Sequence, residues 1–289
     1  MNAPRAIRAL VSACALIAPA VEAATVSSAS SSWTALAGNY DYLADQQTGQ
    51  PASDIVGSGT NGGFFTTFNN NGSASSTDGT LGFRIRLDEA DGNKNNPAWS
   101  AILWVGIEAN GDNAIDVFLG VGMQGSTPVM GIYAPGGQAN TSPSTTSIAS
   151  SATYSYTRDA NNYSYRPVNY LTDGGTTNDA TPSTTGDPDY YLSFMMPFAD
   201  IVGFLKNNKS INITDQSSLR YVVATSTQTN SLNQDLGGVN GGVNSAQTWS
   251  QLGGFSQTVN ASGNTIPEPS SFVMIAPLTL LAALRRRRN

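Results

Sequence analysis

The sequence predicts an all-β protein, a single antiparallel β-sandwich of jelly-roll-like type, and three observations carry that expectation. Apolar residues recur with a period of two through the middle of the chain. Clusters of Gly, Asn, Asp and Ser separate these stretches, as turns between strands require. Only 12% of the residues are charged and no long helical periodicity is found, which suits strands better than amphipathic helices. A closed barrel is the alternative arrangement of the same strands.

Taken in order, residues 25–80 carry short apolar islands at Trp33, at 40–43 and at 64–68, expected as edge strands or ordered loops. In LGFRIRL (81–87), Phe83, Ile85 and Leu87 share one face while Arg84 and Arg86 take the other. AWSAILWVGIEA (98–109) is apolar on both faces, as a central strand is. The turn NGDN (110–113) joins it to AIDVFLGVG, a hairpin signal, and PVMGIYAPG (128–136) adds the next strand. Residues 137–189 form a polar, Tyr-rich excursion expected to hold one or two strands. DYYLSFMMPFADIVGFL reads as a strand followed by a short helix near 199–206, and LRYVVATSTQTN (219–230) as the last strong strand. The Gly/Asn-rich stretch up to residue 263 reads as a linker or loosely packed edge.

The first 23 residues read as a secretory signal peptide. Arg5 and Arg8 precede an apolar run from 9 to 21, and Val21-Glu22-Ala23 fits a cleavage site. Thirteen apolar residues are too few to span about 30 Å of hydrocarbon. The only cysteine, Cys14, lies inside that signal, so the body at 24–263 is expected to fold without disulfides. With the terminal segments removed, eight of fourteen basic and eighteen of twenty acidic residues remain, a body of net charge −10. That excess disfavours nucleic acid and anionic membrane surfaces and suits divalent cations.

The chain has no histidine, which removes Ser-His-Asp and Cys-His nucleophiles and His-ligated zinc or copper. Hard-cation binding and carboxylate acid/base chemistry remain. Two loops concentrate oxygen donors around a glycine turn: Asp88, Asp91, Asn93 and Asn95 in one, and Glu108, Asn110, Asp112 and Asp116 in the other. Calcium is the candidate cofactor for such donors, although neither loop has EF-hand spacing and tight turns favour the same residue types. Asp41, Asp45 and Asp54 read as turn and capping residues. A glycoside hydrolase or lyase would use Glu108 with a nearby aspartate such as Asp116, whereas a strand-end carboxylate more commonly pairs with Arg84 or Arg86. Tyr154, Tyr156, Tyr163 and Tyr165 offer ring faces for stacking on sugars, or else cross-strand packing.

The chain closes with IPEPSSFVMIAPLTLLAALRRRRN (266–289). Residues 272–284 are apolar and short for a membrane span, a short C-terminal hydrophobic helix. Arg285, Arg286, Arg287 and Arg288 then act as a stop on the cytoplasmic side. Pro267-Glu268-Pro269, the apolar span and the arginine cluster, paired with an N-terminal signal, resemble the PEP-CTERM sorting signal over residues 264–289. The resemblance implies export through the inner membrane by way of a transiently inserted precursor. Signal peptidase and an exosortase would process it, leaving the mature chain at the cell surface or outside the cell, with exopolysaccharide or biofilm matrix. It implies a non-catalytic surface or matrix protein, with a calcium-assisted glycan-binding module as the alternative. The body also resembles, more loosely, exported bacterial β-sandwich and carbohydrate-binding domains through DGTLGFRIRL, GDNAIDVFLG and LRYVVATSTQTN.

Overall fold

A computed structural model describes Val26 and residues 32–267, apart from 48–49, 94–95, 125–126 and 181–185. The signal peptide, Asn95, Glu268, Pro269, residues 272–284 and Arg285, Arg286, Arg287 and Arg288 lie outside the described residues, as does the side chain of Asn93. Among the described residues no helix is long and apolar enough to cross a membrane.

The chain is mostly β, in two antiparallel sheets with few helices. The five-stranded sheet contains β1 (Thr34–Ala35), β2 (Phe64–Asn69) and β3 (Thr80–Leu87). A small hairpin, β4 (Gly92–Asn93) with β5 (Asn96–Pro97), follows. The six-stranded sheet takes β6 (Ile102–Glu108), β7 (Val117–Gln124), β8 (Thr127–Tyr133) and β9 (Tyr154–Ser155). The chain then returns to the first sheet with β10 (Tyr163–Pro167), α1 (Tyr170–Asp173) and β11 (Tyr190–Pro197). After α2 (Phe198–Lys209) come β12 (Arg220–Ser226), β13 (Asp235–Leu236) and α3 (Trp249–Leu252). The sheet orders are β1-β2-β3-β11-β10 and β13-β12-β6-β7-β8-β9.

The period-two residues explain the core. Phe83 and Ile85 of β3, with Leu192 and Phe194 of β11, share one buried cluster with Val105, Ile107, Leu119 and Tyr221 of the other sheet. The Phe83 and Tyr221 rings meet edge-on at 5.0 Å across that cluster. The alternate residues of the six-stranded sheet, including Trp104, Phe118 and Val222, form a second cluster on its other face, covered by Leu232, Leu236 and Trp249. A strand covered on both faces has no place for polar alternation, which is why β6 carries no polar side chain from Ile102 to Ile107. Gly120 completes the fit, since a Cβ there would lie 2.3 Å from the Trp104 ring.

One expectation needs correction. The stretch after residue 230 is no loose edge, because Leu232, Leu236, Trp249, Val259 and Ala261 are buried in the two clusters. Its glycines serve turns, and its sparse apolar residues lie too far apart for a strand or helix pattern to register. Arg84 and Arg86 occupy the other face of β3, as the alternation requires, and both are buried there. Arg84 lies between the rings of Trp33 and Tyr191, at 4.6 and 5.2 Å, where cation–π attraction replaces water.

Register also sorts the loops into two ends. At one end, Leu87 pairs with Tyr190 and with Ile55, and Thr225 pairs with Leu103 while its hydroxyl donates to Ser53 O at 2.6 Å. At the other, Arg220 pairs with Glu108, and Asp215 N donates to Ser76 O at 2.7 Å ahead of β3. The last described residues run along this second end, where Val259 bridges both Leu219 and Thr265.

Candidate metal centre at the aspartate end

Seven aspartates collect where β3 finishes. Antiparallel pairing of Leu87 with Tyr190 sets Asp88, just after β3, against Asp189, just before β11. The bridge from Leu87 to Ile55 brings Asp54 alongside, and Asp88 N donates to Asp54 O at 3.1 Å. Asp235 opens β13 opposite Thr225 and accepts from Ile55 N at 2.7 Å. Asp41 is bridged to Gly57 and accepts from Gly238 N at 2.9 Å. Gly238 has φ +77, a left-handed conformation that a β-carbon disfavours.

The carboxylates fall into two groups. Oxygens of Asp41, Asp45 and Asp235 lie within 4.8 Å of one another, and so do oxygens of Asp88, Asp179 and Asp189. Asp54 stands between the groups, its Oδ1 accepting from the backbone amides of Asp45 and Gln46, each at 3.2 Å. In the second group Arg86 donates to Asp189 Oδ2 through Nε and to Thr177 O at 3.0 Å. Both partners of that ion pair have fully buried side chains.

These acids are poorly satisfied for their depth. Asp41 and Asp88 are 1% exposed and Asp54 is 0% exposed. Asp41 Oδ1, Asp54 Oδ2 and both carboxylate oxygens of Asp88 have no hydrogen-bond partner among the described residues. Burial, with the neighbouring aspartates, pushes Asp41 up to about 7, Asp54 to about 8 and Asp88 to about 7. Asp235 is raised too, first by burial and then by Asp41 and Asp54. An ionised carboxylate without water or a partner is strongly disfavoured, so such a cluster takes up either protons or a hard cation.

The residues expected to bind calcium do not converge. The 108–116 loop lies at the opposite end of the sheets from Asp88, and its donors already hold the turn. Glu108 Oε1 accepts from the amides of Asn110, Gly111 and Asp112, and Oε2 from Arg220 Nε at 2.9 Å. The partner of Glu108 is therefore Arg220, not Arg84 or Arg86, because β12 and not β3 is its neighbour. Asp116 accepts from Ala109 N and Asn110 Nδ2, and Asp112 from Ala114 N. In the other loop Asp91 accepts from Ser100 N and Oγ. Among the described side chains of the expected set, Asp88 alone belongs to one of the acidic groups. Asp41, Asp45 and Asp54 accept backbone amides, as turn and capping residues do, and also fall within this acidic collection, whereas Asp179, Asp189 and Asp235 are candidates that the sequence reading passed over.

The tyrosines divide likewise. Tyr156 donates to Asp200 Oδ2 at 2.7 Å and the Tyr154 hydroxyl faces Gly203, so both lie against α2. Tyr163 and Tyr165 line a groove of about 510 Å³ with Trp99, Arg158 and Asp159. Their faces are partly covered: Arg158 sits 4.5 Å over Tyr163, and Tyr190 lies 5.0 Å from Tyr165. No protein-family model, curated protein or solved structure matches the chain.

Proposed function

We propose that this chain is a non-catalytic exported protein whose body is a jelly-roll-like β-sandwich. It is sorted by a PEP-CTERM route to the cell surface or extracellular matrix, where exopolysaccharide or biofilm surrounds it. The observation that carries the reading is the ordered pair of terminal segments, an N-terminal signal and Pro267-Glu268-Pro269 followed by an apolar span and Arg285, Arg286, Arg287 and Arg288. The environment of Glu108 supports the non-catalytic part. A carboxylate accepting three amide hydrogen bonds and one from an arginine is a turn cap, with no free oxygen pair for acid/base work. Deleting residues 267–289 is expected to change where the protein accumulates, and the intact chain is expected to mature to a C-terminus near Pro267. Unchanged release together with an unprocessed C-terminal mass would reject the sorting route.

The groove beside Trp99 favours a second reading, a glycan-binding module. Edges of the half-buried Tyr163 and Tyr165 with the charges of Arg158 and Asp159 offer apolar and polar contacts of the kind sugars take. Calorimetric titration with polysaccharide extracted from the producing cells should give heat, and its loss in EDTA would show dependence on calcium. Silence in both buffers removes the reading.

A further inference from the structure

The aspartate end supports an assignment that does not depend on where the protein is sorted. We propose that it carries two calcium sites, one on Asp41, Asp45 and Asp235 and the other on Asp88, Asp179 and Asp189. Distance is the first argument. Oxygens bound to one calcium ion at about 2.3–2.6 Å stand no more than about 5 Å apart, and each set meets that limit at 4.8 Å.

Buried open oxygens are the second argument, and each group supplies its own. Asp41 Oδ1 in the first group, and both oxygens of Asp88 in the second, are sealed from solvent with no hydrogen-bond donor among the described residues. Folding that withdraws a carboxylate this far without a donor leaves it waiting for a cation. Donor chemistry then selects the ion. All the donors are oxygens, and a chain without histidine whose one cysteine is Cys14 offers no soft ligand set. Magnesium keeps several waters in a strict octahedron, whereas calcium accepts an irregular, mostly protein shell. The Arg86 guanidinium at Asp189 reduces the charge of the second group from three to two negative units, matching one divalent ion.

Each site would join segments far apart in the chain. The first ties residues 41–45 to 235, and the second ties the end of β3 to the excursion before β11. The test is isothermal titration of the purified full-length chain, in mild detergent at pH 7.5, with CaCl2 and separately with MgCl2. Two calcium equivalents are expected, with a rise in melting temperature of about 10 °C or more over EDTA and a much smaller rise with magnesium. Asp41→Asn should lose one equivalent and Asp88→Asn the other. In EDTA both variants should melt no lower than the parent, because each removes a bare buried charge, which separates lost binding from lost folding. No heat from a cooperatively melting parent overturns the proposal, as does retention of two equivalents in both variants. Loss from one variant alone overturns the other site.

Discussion

Replacing Arg86 with methionine is expected to lower the unfolding free energy by about 3–5 kcal/mol in EDTA, read by urea denaturation near neutral pH. Arg86 and Asp189 form an ion pair with both side chains fully buried. Methionine keeps much of the volume but strands the Asp189 carboxylate, to which Ala180 N still donates at 2.9 Å. The carbonyl of Thr177 loses a donor as well. The double variant Arg86→Met, Asp189→Leu should recover most of that loss, since an apolar pair of similar volume removes the stranded charge along with its partner. A single variant within about 1 kcal/mol of the parent would mean that water or another group reaches Asp189.

The metal-free protein is expected to become less stable as pH rises, the reverse of the usual behaviour of carboxylates. Asp41, Asp54 and Asp88 hold their protons in the fold up to about 7, 8 and 7, against an ordinary value of 3.8. The folded chain then binds more protons than the unfolded chain between those limits, so stability falls with pH. The contribution is fully present below about pH 4 and is lost as pH passes through 7 to 8. Melting in EDTA should therefore drop by about 10 °C or more between pH 5 and pH 8. Calcium should flatten or invert that slope, because an ion substitutes for the protons and binds better as they leave. A melting temperature that climbs with pH in EDTA would show that these carboxylates are solvated.

The strands were legible because their signal is local. Alternation in LGFRIRL, the apolar run of β6 and the Asn-Gly turn after it each lie within a dozen residues, and each formed as expected. The aspartate end was illegible for the opposite reason. Its members run from Asp41 to Asp235, and each alone is an ordinary turn or strand-end residue. Strand register, which pairs Leu87 with Tyr190, is what makes neighbours of Asp88 and Asp189. One cue was present: RLD closes one strand and DYY opens another, so antiparallel pairing of the two would abut their acids. In the loop 108–116 the dense run of donors serves the turn, as at Glu108.

The last described residues and the aspartates occupy different ends of the sheets. Residues 259–265 run beside Leu219, at the end of the sheets that holds Glu108 and Arg220. The aspartates crown the far end. Residues 259–265 and the acidic crown therefore stand at opposite ends of the strands, so a ligand held by the aspartates would not compete for the surface beside Glu108.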